Sequence, residues 1–148
     1  MSAGRLWTIG YEASGQPDFL DALREANVSL LIDVRDVANS RRAGFAKNAL
    51  REGLAGIGVG YVHLKALGTP KAGRDAHRRG DIDTFRQIYC EAIERPEAQL
   101  ALREAADLTR TARVCLMCFE ADWRFCHRAE IADRLQKEHG LDVTHLHV

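Results

Sequence analysis

The chain has 148 residues, 46% of them hydrophobic, with 21 basic and 21 acidic side chains and a formal net charge of zero. That length suits one domain spanning 1–148, with a core large enough to need neither disulfides nor a structural metal. The charge balance excludes the global field that marks general nucleic-acid or membrane-surface binding and leaves only local basic patches.

No apolar run approaches the roughly 18 residues that span a bilayer, and "MSAGRLWTIGYE" lacks the apolar stretch of a secretion signal. The expected setting is cytoplasmic, with no membrane partner. The cysteines there, Cys90, Cys115, Cys118 and Cys126, are expected to be reduced thiols.

In chain order, "LWTIGY" reads as a first strand, short and aromatic and stopped by Gly10. Pro17 suits the first turn of a helix whose apolar stripe is Phe19, Leu20, Leu23 and Ala26. "VSLLIDV" is nearly continuous in apolar residues, as for a strand buried on both faces. A second helix is predicted from Phe45 to Ile57, ended by glycines, and "VGYVHL" is a third strand.

The stretch "GTPKAGRDAHRRGD" reads as a long polar loop. Asp81 then caps a helix with Phe85, Ile88, Tyr89, Ala92 and Ile93 at helical spacing, and Pro96 opens another with Ala98, Ala101, Leu102, Ala105 and Leu108 inward. "ARVCLMCF" is a fourth strand. A last helix carries Ile131, Ala132 and Leu135 and stops at Gly140, and "DVTHLHV" is a fifth strand. Strands alternating with helices predict an α/β fold: a three-layer, mostly parallel sheet of about five strands with helices on both faces.

In such a sheet, ligands sit beyond the carboxyl ends of the strands. Gly10 and Tyr11 follow the first strand. Asp33, Arg35, Ser40 and Arg41 follow the second, and His63 ends the third. Cys118, Glu120, Cys126, His127 and Arg128 follow the fourth. The candidate catalytic set is therefore Glu120, Cys126, His127, Cys118 and His63. The candidate binding set is Asp33, Arg35, Ser40, Arg41, Arg128, Gly10 and Tyr11. Asp33 and Arg35 read equally as a structural ion pair. His77, His139, His145 and His147 read as surface or packing residues, and Cys90, Trp7 and Trp123 as packing.

"CLMCFEADWRFCHR" concentrates this chemistry. Cys115 and Cys118 are three apart on a strand and point to opposite faces, so they cannot share one ion, and no metal or other cofactor is expected. Cys118 to Arg124 has the C-x5-R spacing of cysteine phosphatases and rhodanese-like sulfurtransferases, but "FEADW" has no glycine and carries two carboxylates that would repel an anion. Cys126 falls at a helix start, where free N–H groups and the dipole stabilise a thiolate or a bound anion.

Motifs along the whole chain resemble the family called domain of unknown function 488: "TIGYE", "LIDVRDVANSRRAGF", "GVGYVHLKALG" and "CLMCFEADWRFCHRAEIADRL". The family's C-x-E and following C-H-R correspond to Cys118, Glu120, Cys126, His127 and Arg128. Its other motif residues correspond to Thr8, Gly10, Asp33, Arg35, Ser40, Arg41, Phe45, Tyr61, His63, Leu67 and Gly68. The family often continues its first motif as glycine–histidine–serine, where this chain has Tyr11 and Glu12 after Gly10. The resemblance implies the α/β fold and a cytoplasmic setting, and no assigned reaction.

Three functions follow as expectations. The first is an enzyme or enzyme-like binder of an anionic substrate, a phosphate-bearing small molecule, nucleotide or nucleic acid. The second is thiol, sulfur-transfer or redox chemistry through Cys118 and Cys126. The third is a non-catalytic nucleic-acid or protein binding module using "KAGRDAHRRG".

Overall fold

The computed structural model describes residues 4–148. Its sheet contains β1 (Arg5–Gly10), β2 (Leu30–Asp33), β3 (Gly60–His63), β4 (Val114–Cys118) and β5 (Asp142–His145). All pairings are parallel, in the order β3-β2-β4-β1-β5. Six helices connect the strands: α1 (Gln16–Glu25), α2 (Lys47–Ala55), α3 (Lys71–Arg78), α4 (Ile82–Ile93), α5 (Pro96–Leu108) and α6 (His127–His139). The α/β fold with a parallel sheet is the one that the alternation predicts. No helix among the described residues is long and apolar enough to cross a membrane.

Two hydrophobic clusters sandwich the sheet. Phe19 and Leu23 of α1 and Leu50 and Leu54 of α2 pack with Trp7, Ile9, Leu31, Cys115 and Met117 on one face. Tyr89 and Ile93 of α4, Leu102 and Ala105 of α5, and Ile131 and Leu135 of α6 pack with Leu6, Ile32, Leu116 and Cys118 on the other. The period of two along β4 therefore separates Cys115 from Cys118 as expected.

Local chemistry accounts for most element ends. Pro17 stands in the first turn of α1. The Asp81 carboxylate accepts the Thr84 N–H at 3.2 Å to start α4. Gly140 takes the left-handed conformation, φ 66°, that closes α6.

Two expectations are corrected. The polar stretch after β3 is not a long loop, because residues Lys71–Arg78 form α3. Its buried face is only Gly73 and Ala76, too small to register as a hydrophobic stripe, yet Gly73 lies so close to Thr69 and Ile88 that a Cβ there would crowd both. The second helix starts at Lys47 rather than Phe45. Phe45 instead turns its ring into the core, stacked on Tyr11 with centroids 4.4 Å apart, and gives its carbonyl to Arg35.

Because every strand runs the same way, Gly10, Asp33, His63 and Cys118 end on one edge of the sheet. There β1 leads to α1 on one face and β4 leads to α6 on the other. Loops leaving adjacent strands in opposite directions open a crevice, and the candidate site lies in it.

Candidate functional site

The crevice has a volume of about 910 Å³. Of the candidates, Tyr11, Arg35, Ser40, Arg41, Cys118, Glu120 and His127 line it. Asp33, His63, Gly10, Cys126 and Arg128 do not, and stand behind the wall. Val37, Phe85, Phe119 and Phe125 give the mouth an apolar and aromatic character.

Asp33 is fully buried and grips Arg35 with both oxygens, Oδ1 to Nε at 2.9 Å and Oδ2 to Nη2 at 2.7 Å. The Tyr61 hydroxyl donates to Asp33 Oδ2 at 2.6 Å. Arg35 Nη1 donates to the Tyr11 hydroxyl at 3.1 Å and to the Phe45 carbonyl at 2.8 Å. Four of the five guanidinium donors are thus taken by the protein. Burial by itself would lower the Arg35 pKa, but Asp33, with Tyr11, holds it above the ordinary value. His63 sits on the edge strand β3, and its Nε2–H donates to the Arg35 carbonyl at 2.6 Å. His63 therefore supports the Arg35 backbone from outside the cleft.

A different network surrounds the cysteines. Arg128 is fully buried at the start of α6. Its Nε donates to Thr8 Oγ1 at 3.2 Å, and its Nη2 to the Ala121 carbonyl at 3.3 Å. Its Nη1 donates to the Glu120 carbonyl and, at 2.9 Å, to Cys118 Sγ. Among the described residues no carboxylate bonds it. Burial lowers its pKa to about 10, against the opposing pull of Glu120. Gly10 makes room for this arrangement, since a Cβ there would overlap the Glu120 carbonyl and press on Arg128 Nη1.

The Cys118 and Cys126 sulfurs meet and are bonded, in contrast to the reduced thiols expected from the sequence. Strand end and helix start bring them together: Cys118 closes β4, and Cys126 is the N-cap of α6, its sulfur accepting the Arg128 N–H at 3.5 Å. Cys115, on the opposite face, is free, and burial pushes its thiol pKa up.

His127 Nε2–H donates to the Val34 carbonyl at 2.7 Å. In the neutral ring this leaves the Nδ1 lone pair facing Cys126 Sγ at 3.8 Å. Burial lowers the His127 pKa, opposed by Glu120 and the Val34 carbonyl, so the neutral ring is favoured. Cys118 Sγ, Cys126 Sγ and His127 Nδ1 or Nε2 thus gather three potential metal donors within 4.8 Å of one another.

Glu120 is half-buried at the cleft wall, with Oε2 at 3.5 Å from Cys118 Sγ and Oε1 at 3.9 Å from His77 Nε2. His77 is a cleft residue that the sequence reading assigned to surface or packing. It donates to the Phe125 carbonyl at 2.7 Å, and only the unrecognised helix α3 carries it there. His145 was likewise read as packing. Thr8 Oγ1 accepts from Arg128 Nε and shares a second hydrogen bond with His145 Nδ1, 2.6 Å away. The imidazole stacks on Trp123 with ring centroids 3.9 Å apart.

The rim is mixed in charge. Arg74 pairs with Asp36, and Lys71 and Arg78 pair with Asp75, so the basic stretch is partly neutralised within α3 and its neighbours. Ser40 Oγ accepts the Arg42 N–H at 3.1 Å, and Arg42 itself donates to the Ser14 carbonyl. Arg41 is exposed at the mouth and has no ion pair among the described residues.

The profile of the family described as Domain of unknown function DUF488 matches residues 16–135. The chain belongs to that family. No curated protein and no solved structure matches it. The matched span holds Asp33, Arg35, Cys118, Glu120, Cys126, His127 and Arg128. The DUF488 match begins after β1 and ends before β5, so Thr8, Gly10, Tyr11 and His145 complete the site from outside it.

Two outcomes follow for this DUF488 protein. Replacing Asp33 with Asn removes the charge that balances buried Arg35 and is expected to lower unfolding free energy by about 3–5 kcal/mol in urea titrations. Asp21→Asn, in the exposed pair with Arg24, is expected to change it little. Equal effects would contradict the clamp. Burial, then the charge of Arg128 and His147, holds the His145 pKa below its ordinary value. The unfolded chain therefore binds a proton first, and stability is expected to fall as pH drops below about 6.5, the unfolded histidine value. His145→Gln is expected to flatten that fall in thermal melts at pH 7 and pH 5, and an unchanged fall would contradict it.

Proposed function

We propose that this DUF488 protein is a thiol-dependent enzyme in which Cys118 and Cys126 form a thiol–disulfide couple serving a sulfur-bearing substrate in the crevice. The observation that carries the reading is the meeting of Cys118 Sγ, at the cleft wall, with Cys126 Sγ just behind it, with Arg128 Nη1 on Cys118 Sγ and His127 Nδ1 beside Cys126 Sγ. A guanidinium without a carboxylate favours an anionic sulfur at Cys118, the form that attacks.

In the reduced enzyme, the Cys118 thiolate attacks one sulfur of a substrate disulfide. That bond breaks, and the substrate thiolate leaves. Cys126 gives its proton to His127 Nδ1 and attacks the Cys118 sulfur of the mixed disulfide, releasing the second substrate thiolate. One departing thiolate takes the His127 proton and the other a proton from water. The substrate gains two electrons, the protein disulfide records their loss, and a thiol reductant of the low-molecular-weight or dithiol-protein class restores the pair. Arg128 stabilises the reduced, thiolate-bearing form and so makes the couple more oxidising than an ordinary structural disulfide.

A second reading, an anionic ligand at the mouth, is favoured by Arg41, which is exposed and unpaired among the described residues. Arg35 adds little to it, with four donors already taken. Thermal shift with inorganic phosphate on wild type and Arg41→Gln separates this reading from the first.

Equilibration in glutathione buffers, followed by alkylation and peptide mass mapping, tests the couple. The expected result is one two-electron midpoint confined to Cys118 and Cys126, less negative than about −300 mV. Full alkylation of both at every buffer ratio would overturn the reading.

A further inference from the structure

The two sulfurs and His127 Nδ1 that serve the redox couple also form a donor set for a metal ion. We infer that in the reduced protein Cys118 Sγ, Cys126 Sγ and His127 Nδ1 hold a thiophilic divalent cation of the zinc class, with the fourth coordination position turned toward the cleft. The inference needs only reduced thiols and does not rest on their cycling during a reaction.

Three observations support it. Both sulfurs and one ring nitrogen of His127 lie within 4.8 Å of one another, Nδ1 stands 3.8 Å from Cys126 Sγ, and all three residues are buried. Zinc sits about 2.3 Å from sulfur and 2.0–2.1 Å from nitrogen, so one ion joins these donors once reduction frees the two sulfurs to separate. The Cα atoms of Cys118 and Cys126 stand 7.5 Å apart, and two thiolates on one ion span that distance readily.

His127 is also held as a ligating histidine is held. Its Nε2–H donates to the Val34 carbonyl, which fixes the ring and presents Nδ1 as a lone pair. No rotation of the imidazole is needed to offer it.

Charge supplies the third argument. Two thiolates and the Glu120 carboxylate, 3.5 Å from Cys118 Sγ, carry three negative charges. Arg128 supplies one positive charge, and a divalent ion supplies the remaining two. With both cysteines as thiolates, the cluster is neutral when the divalent ion is bound. The sequence reading set zinc aside because Cys115 and Cys118 point apart. That still removes Cys115, but the helix start replaces it with Cys126 and His127.

The test is an anaerobic titration of the full chain, reduced with a phosphine and stripped of metal, with Co²⁺. The expected result is thiolate-to-cobalt charge transfer in the near ultraviolet and strong tetrahedral bands in the visible. These saturate at one ion per chain and are displaced by Zn²⁺. Cys118→Ser and Cys126→Ser are expected to lose the charge-transfer band, and His127→Asn to weaken binding, while Cys90→Ser and Cys115→Ser leave it unchanged. Serine at position 126 keeps an N-cap oxygen, so that variant retains its helix start. Only the weak spectrum of hydrated cobalt in reduced wild type would overturn the site, as would a signal that survives in Cys126→Ser. A redox midpoint without a cobalt spectrum removes the metal site and leaves the couple, and a cobalt spectrum without a midpoint does the reverse.

Discussion

The interaction on which the site depends is the burial of the Arg128 guanidinium without a carboxylate. Removing a full charge from water is expensive unless partners replace the lost hydration. Here the partners are a hydroxyl from β1, two carbonyls from the loop after β4, and the Cys118 sulfur. The hydroxyl comes from one strand and the other three partners from Cys118–Ala121, so one side chain gathers β1, the end of β4 and α6 behind the wall of the crevice. Gly10 is bare because the Glu120 carbonyl must approach β1 to reach the same guanidinium. Of these partners only the sulfur can become an anion.

The contrast with Arg35 separates framework from chemistry. Arg35 has its full counter-charge in Asp33, further held by Tyr61, with His63 on its backbone carbonyl. That cluster braces the β2 end and the wall carrying Tyr11 and Phe45. It has little left to offer a ligand. Arg128 bonds no carboxylate among the described residues, and its charge meets the Cys118 sulfur. Two buried arginines, one just past the end of β2 and one at the start of α6, thus differ in that one has a carboxylate partner and the other a sulfur.

Much of this was legible in the sequence. The strand–helix alternation gave every strand the same direction, and that alone brings Asp33, His63 and Cys118 to one edge. The strand period separated Cys115 from Cys118. Other features were hidden for physical reasons. Helix α3 has a buried face of one glycine and one alanine, so His77 was read as a surface or packing residue although it stands beside Glu120. Asp33 and Arg35 read equally as a structural ion pair, and the structure pairs them, whereas the hydrogen bond from His63 to the Arg35 carbonyl is invisible to spacing. That Arg128 bonds a sulfur and carbonyls and no carboxylate among the described residues is a matter of spatial arrangement, which no linear pattern reports. His145 reaches the site through Thr8, across 137 positions of sequence separation.

The sulfur pair, the tautomer of His127 and the acid at Glu120 all take their significance from the charge at Arg128. A double-mutant cycle tests that charge most directly. Cys118→Ala, Arg128→Met and the double variant are unfolded in urea under reducing conditions. The expected outcome is a coupling of about 1.5–3 kcal/mol, the range for a hydrogen bond to a charged group. Additivity within about 0.5 kcal/mol would show that the guanidinium and the sulfur do not interact, and would contradict the account.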